Sequence, residues 1–323
     1  MKAIPFPGAM RREDLVKVED LRVGAGTTAA EIVAGMRRGG GFSAAKIAVA
    51  ADIVRRMRRE GVTTILSFPA DLCATGLRGV LASLVRDGLA DAIITTCGTL
   101  DHDLARTWRD YYHGDFAMDD RALHREGVNR LGNVLVPNES YGEILEERLR
   151  PWLEEMGKTQ ARWSTSQICR EFGRRLAAEP GSEGSILRAA YERNVPIFVP
   201  GPTDGAVGAQ LWMQWQRQRD FTLDLFGDEQ ALADLAFDAR ELGALMIGGG
   251  ISKHHVIWWS QFRGGLDLAV YITTAVEWDG SLSGARLEEA ISWGKVKEDA
   301  RIVNLEGDAT VVLPLVYAAS LED

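Results

Sequence analysis

The chain of 323 residues has only three cysteines, Cys73, Cys97 and Cys169, widely spaced and without a CxxC pair. An odd, scattered set argues against a disulfide framework and against a zinc site, and leaves the three as small core fillers in a reducing compartment. No apolar run approaches the roughly 20 residues that a membrane span needs, so no membrane partner is expected. The start, MKAIPFPGAMRREDLVKVEDL, lacks the basic stretch, apolar core and small-residue cleavage site of a secretory leader, and a cytoplasmic location is expected. Basic residues are in deficit, 37 Lys and Arg against 46 Asp and Glu, giving a net charge of −9. That balance repels a phosphate backbone, and the densest basic cluster (Arg55, Arg56, Arg58 and Arg59) has the spacing of a wet helix face, so nucleic acid is not expected as a partner. Internal repeats, low-complexity tracts and a Pro/Gly/Ser-rich linker are also missing. A single domain over residues 1–323 is expected, with residues 1–40 as an N-terminal extension packing on it.

What is present is an alternation of helical and strand signals, the pattern of an α/β domain with one parallel sheet. Apolar residues from Ala44 to Arg59 recur at helical spacing up to Gly61, and Thr63–Phe68 is then β-rich and stops at Pro69. A second helix-to-strand unit follows, Leu77–Asp87 and then Asp91–Thr96. Three further short apolar runs, Pro196–Val199, Ala244–Ile247 and Leu268–Ile272, read as strands buried on both faces, which requires helices on both sides of the sheet.

In open α/β sheets the ligand binds beyond the carboxyl ends of the strands. The residues there are Thr96–Cys97–Gly98–Thr99–Leu100–Asp101–His102, Gly201–Pro202–Thr203–Asp204–Gly205, Gly248–Gly249–Gly250 and Thr273–Thr274–Ala275. Glycine permits close approach to the backbone, and free N–H groups at a following helix start bind phosphate, so a dinucleotide is a natural occupant. No GxGxxG fingerprint is present, and ordinary turn chemistry explains each loop taken singly.

The stretch from Gly248 to Lys295 carries the densest chemistry. His254 and His255 follow the triple glycine, and adjacent side chains on a helix point about 100° apart, which makes joint metal binding improbable and leaves one imidazole for a cleft. Leu287, Ala290 and Ile291 mark a helix face, Gly294 is placed to end that helix in a left-handed conformation, and Lys295 sits at the exit. Glu289 and Trp293, four residues apart, share a face beside it, and carboxylate plus indole is a cation-recognition pair. A lysine walled by apolar and aromatic groups has its charged form destabilised and can attack a carbonyl or imine. From the residues alone, both Lys295 and His254 stand between structural and catalytic roles.

Taken together, GGGISKHH, YITTAVEWDGS and SGARLEEAISWGK resemble the deoxyhypusine synthase family, as do EGVNRLGNVLVPNESY, WSTSQICREFGRRL and VPIFVPGPTDGAVG in the same order along the chain. The resemblance implies a Rossmann-like NAD-binding fold assembled as a homotetramer with active sites between subunits. It also implies the chemistry. NAD takes a hydride from a secondary amine, spermidine; the alkyl group is captured on a lysine as a Schiff base and passes to an acceptor amine, and the hydride is returned. Lys295 would be the imine-forming nucleophile and His254 the base near the donor nitrogen. Thr96, Cys97, Gly98, Asp204, Gly249, Thr274, Ala275, Asp279, Gly307 and Asp308 would contact NAD. Tyr271, Glu289 and Trp293 match donor-site positions.

Three positions depart from the family pattern. TDGAVGA places Ala209 where an acid holds a polyamine ammonium, DGSLSGA places Leu282 where a second acid stands, and LDHD places His102 in place of a glutamate beside Asp101. A buried ammonium without its carboxylate costs several kcal/mol, so a donor bound differently from spermidine is expected, with His102 free to face a carboxylate. The acceptor stays open between a small amine and a protein lysine. Two alternatives remain: a true deoxyhypusine synthase whose polyamine is held by Asp101 or Asp103, and a noncatalytic NAD-binding protein.

Overall fold

The computed structural model describes residues 15–322. Its centre is a sheet of six strands, β1 (Thr63–Ser67), β2 (Ala92–Ile94), β3 (Ile197–Phe198), β4 (Leu242–Ile247), β5 (Leu266–Thr273) and β6 (Val296–Glu306). The spatial order is β6-β5-β4-β1-β2-β3, and every pairing is parallel. This is the doubly wound order, in which the chain reverses direction of growth between β1 and β4 and leaves a crevice at their carboxyl ends.

Period-two alternation sorts the strand side chains onto two cores. Leu66, Ile93, Leu245, Val270 and Ile272 face one side, packed under helices Phe42–Arg59, Leu77–Arg86 and Ala309–Leu321. Ile65, Ile94, Ala244, Met246 and Tyr271 face the other, under Leu225–Asp238, Gly250–Gln261 and Leu287–Ile291. All six residues of β4 are buried, as its continuous apolar run requires.

The five strands expected from sequence are present, shifted by one or two residues at most ends. β6 was not anticipated: its charged residues Lys297, Glu298, Asp299 and Arg301 lie on an edge strand whose register against β5 is irregular. A small antiparallel sheet of Tyr112–His113, Val134–Pro137 and Val128–Leu131 was not anticipated either. Of the expected extension, residues 1–14 lie outside the described residues. Helix Ala29–Gly39 belongs to the domain, burying Val33 in the core. The arginine cluster is more than a wet face, since Arg55 and Arg58 donate to the carbonyls of Ala319 and Ser320 at the end of the last helix. Among the described residues, no helix is long and apolar enough to cross a membrane.

Two buried aspartates on helix Cys97–Trp108 pin other helices to it. Asp103 accepts from Arg78 Nε at 2.7 Å, Ser185 Oγ at 2.8 Å and the backbone N–H groups of Ile186 (3.0 Å) and Leu187 (2.8 Å), and so fixes the start of helix Ile186–Arg193. Its carboxylate is fully buried and its acceptor sites are filled, so it has no face for a polyamine. Removing one partner of such a pair leaves the other charge stranded, at a cost of about 3–5 kcal/mol. Asp103→Ala is therefore expected to lower the unfolding free energy by that amount in urea denaturation; an unchanged midpoint would contradict the assignment.

Candidate active site

Strand order fixes where the site residues emerge. Because all six strands run parallel, the residues that follow them collect along one edge of the sheet. A cavity of about 230 Å³ opens there, lined by Gly248, Gly249, Thr273, Thr274, Ala275, Ser283, Gly307 and Asp308, with Pro69 beyond the end of β1. Five of the residues expected to contact NAD, namely Gly249, Thr274, Ala275, Gly307 and Asp308, thus share one crevice. Gly249 is required sterically, since a Cβ there would lie 2.1 Å from Ser283 Oγ. Asp308 is also the cap of the following helix, accepting from Thr310 N at 2.8 Å.

Thr96, Cys97, Gly98 and Asp204 follow β2 and β3 on the far side of the switch point and do not line this crevice. The Cys97 thiol is buried and pushed up to about 12, chiefly by desolvation, so it stays protonated. Asp279 lies on the exposed turn Glu277–Asp279, where hydrogen bonds from Ser281 hold its carboxyl below the usual range.

A second cavity of about 330 Å³ is lined by Lys253, His254, Trp258, Leu282, Arg286, Glu289, Trp293 and Lys295 among others. Leu282 lines this cavity and its neighbour Ser283 lines the crevice, so the two spaces adjoin. One wall is helix Gly250–Gln261, which starts directly after β4. The other is the short helix Leu287–Ile291, whose first N–H, that of Leu287, donates to Asn304 Oδ1 of β6 at 3.0 Å. Gly294 ends that segment at φ +67°, as its position after the apolar face predicts, and turns Lys295 inward. Lys295 is 8% exposed, with Nζ 5.2 Å from the Trp293 ring and 5.7 Å from the Trp258 ring.

The two histidines diverge as helical geometry demands. His254 faces the lysine cavity and lies against Trp258, with ring centroids 5.8 Å apart. His255 points to the other side, where Nε2 lies 3.3 Å from Glu229 Oε2. Burial lowers the His254 pKa, and the nearby Lys295 ammonium lowers it further, so the imidazole is neutral at neutral pH.

Tyr271 is placed differently from the expectation. Its ring is fully buried under Lys253 Nζ at 3.7 Å, and its hydroxyl donates to Ser283 O at 2.6 Å, so it shapes the wall from behind and does not face the cavity. Lys253 went unremarked in the sequence. It is 2% exposed, its ammonium donates to Leu282 O (3.0 Å) and Ala285 O (2.6 Å), and burial pushes it down to about 8. It ties the 282–285 turn to the helix and thereby holds one wall of the Lys295 cavity.

The remaining expected donor residues lie elsewhere in the chain. His102 and Ala209 line a third cavity of about 770 Å³, which shares no residue with the lysine cavity. Asp101, expected beside them as a donor ligand, is fully buried, and protein donors occupy its carboxylate: Tyr141 OH at 2.7 Å, Ala206 N at 2.8 Å and Val207 N at 2.7 Å. It is a structural acid, as is Asp103.

Fold and site define a doubly wound α/β enzyme with a switch-point crevice beside an aromatic-walled lysine. Residues 31–320 match the family profile described as deoxyhypusine synthase. A Picrophilus torridus protein named "Probable deoxyhypusine synthase" is 53% identical over 315 residues, covering 97% of this chain and 100% of that protein. A Thermoplasma acidophilum protein of the same name is 52% identical over 314 residues, covering 97% and 100%. The crystal structure of an Entamoeba histolytica protein provisionally called a deoxyhypusine synthase superposes with a TM-score of 0.67 at 21% identity, over 94% of this chain and 96% of that one, and supports the fold. The chain belongs to the deoxyhypusine synthase family, and is a transferase.

The coupling between the two cavity groups is measurable. In NMR titration the His254 ring should titrate below its ordinary 6.5, and Lys295→Met should move that midpoint upward by removing the ammonium. A midpoint unmoved by the substitution would show that Lys295 does not face the imidazole.

Proposed function

We propose that this chain catalyses NAD-dependent transfer of an aminobutyl-type group from an aliphatic polyamine to an acceptor amine, with Lys295 carrying the group as an imine in between. The observation that carries the reading is the convergence of Lys295, His254 and Glu289 on one indole-walled cavity that adjoins the switch-point crevice.

The crevice suits a dinucleotide. Gly248, Gly249 and Gly307 line it and let the chain pack closely against Pro69, Ser283 and Val312, helices start directly beyond Gly249 and Asp308, and at the end of β1 the buried Ser67 hydroxyl has no partner among the described residues. At about 230 Å³ it is smaller than the roughly 300 Å³ of a small-molecule pocket, so it encloses part of the cofactor. NAD, when bound, supplies a hydride acceptor for the donor's carbon–nitrogen unit and later returns the hydride, leaving no net redox change.

The chain's own groups do the rest. Neutral His254 takes the proton released from the donor's secondary amine. Lys295 Nζ then forms a carbon–nitrogen bond to the oxidised carbon, and the remainder of the donor departs as a primary amine. The acceptor amine displaces Lys295 in the same way, and the lysine is regenerated. Trp258 and Trp293 hold cations by their ring faces and keep water from the imine, while Glu289 balances the ammonium groups nearby. The relatives' names support a protein lysine as acceptor; a small amine is the other outcome to test. The same reading places the protein in the cytoplasm, in keeping with three free, buried cysteines.

Assembly belongs to this reading as well. The lysine cavity is rimmed by exposed apolar groups, Ile251 (44%), Trp258 (42%), Phe262 (49%) and Trp293 (67%), which form a surface suited to another subunit. A homo-oligomer, a tetramer by family resemblance, would bring the His102 and Ala209 cavity of one chain to the Lys295 cavity of another.

The test is chemical trapping. Protein incubated with NAD and spermidine, reduced with borohydride and digested should show a mass gain on the Lys295 peptide that is absent without NAD and absent in Lys295→Arg. No adduct with any amine, in protein shown to bind NAD, would sink the transferase mechanism and favour a binding role.

A further inference from the structure

Helix Gly250–Gln261 presents two faces with different tasks. His254 and Trp258, four residues apart, face the Lys295 cavity. His255 and Trp259 each follow one position later and so lie about 100° around the helix, towards helix Leu225–Asp238. A rotation of the helix about its axis would turn imidazole and indole away from Lys295 together. The start of the helix does little to prevent it. No side chain caps the first turn, and Gly248 and Gly250, on either side of Gly249, adopt φ of +67° and +72°.

Two polar clamps join the helix to its surroundings. One is Lys253, through the carbonyls of Leu282 and Ala285. The other is Glu229 of helix Leu225–Asp238, whose Oε2 receives Trp259 Nε1 at 2.6 Å and lies 3.3 Å from His255 Nε2. One carboxylate oxygen thus grips two successive turns of the back face. The indole N–H can only donate, Trp259 packs half-buried against the second core, and the bond to a carboxylate is short, so this contact is directional and costly to lose. Ser252 and Ser260 bond back to Gly249 and Val256, and among the described residues no other side chain of the helix hydrogen-bonds to another element.

We infer that Glu229 is a positioning residue for the transfer reaction: by holding Trp259 and His255 it fixes the rotation of helix Gly250–Gln261 and keeps His254 and Trp258 turned towards Lys295. Glu229 does not line the lysine cavity, so it acts through the helix alone. The inference rests on the transfer reading for its chemistry and on the Glu229–Trp259 bond for its geometry. The charged groups that act on the His254 ring are Lys295, Lys253, Arg286 and Glu289 around the cavity and His255 behind it.

Two measurements test it, on variants first checked by thermal unfolding. Glu229→Leu removes the acceptor, Glu229→Gln keeps an acceptor oxygen, and Trp259→Phe keeps a ring but removes the donor. Asp234→Asn is the control, an exposed acid of the same helix that accepts from Gln230 at 2.7 Å. In transfer from spermidine at saturating NAD, kcat should fall about 10-fold in Glu229→Leu and in Trp259→Phe, and no further when the two are combined. It should be largely restored in Glu229→Gln and unchanged in Asp234→Asn. An unchanged kcat in folded Glu229→Leu, or an equal loss in Glu229→Gln, overturns the inference. If Glu229→Leu does not fold, Trp259→Phe decides by the same criterion. The second measurement needs no activity. In NMR titration, Lys295→Met should raise the His254 midpoint less in the Glu229→Leu background than in the wild type, because a ring turned away feels the ammonium less; an equal rise overturns the inference. If the wild type transfers nothing, the transfer reading fails by itself and the titration decides the positioning.

Discussion

A single buried carboxylate holds together the walls of the cavity that contains His102 and Ala209. Asp101 sits on helix Cys97–Trp108, caps the start of helix Ala206–Arg217 through two backbone N–H groups and receives the hydroxyl of Tyr141 at the head of helix Gly142–Thr159. These three elements wall the large cavity, and their spacing is set by bonds of 2.7 to 2.8 Å to one side chain. With Asp101 turned into the protein, the next residue, His102, faces the cavity with its Nδ1 2.9 Å from Tyr111 OH. The same logic keeps Asp101 from acting on a ligand, because its acceptor capacity is spent on the fold.

The lysine side is built on a different economy. There, Lys253 is the structural cation, pinned between two carbonyls and an aromatic face, and Lys295 is the one left open to the cavity. Two lysines lining one cavity from opposite walls have different chemistry because their hydrogen bonds differ. Asn304 and Gly294 fix the five-residue helix that a segment so short could not stabilise alone. Crevice and lysine cavity adjoin at the 282–283 turn.

Much of this was legible in the sequence, for definite reasons. Continuous apolar runs identified five strands because both-face burial removes any alternation, and the loops after them gathered at one edge because the strands are parallel. The divergence of His254 and His255 and the turn at Gly294 follow from helix geometry and from glycine's tolerance of positive φ. β6 was hidden because it is an edge strand with a charged, irregular first half. The burial of Asp101, Asp103 and Tyr271, and the role of Lys253, depend on which distant backbone groups arrive beside them.

The lysine cavity and the cavity of His102 and Ala209 share no lining residue within one chain, and the proposed function has them meet across a subunit boundary. Complementation measures this directly. Lys295→Met, which removes the nucleophile, and Ala209→Trp, which fills the other cavity, are each expected to be inactive as homo-oligomers. Co-expressed with different tags and purified as mixed oligomers, they should regain transfer activity, because an intact lysine cavity of one chain faces an intact 102/209 cavity of the other. Mixed oligomers of verified composition that stay inactive would contradict the composite site.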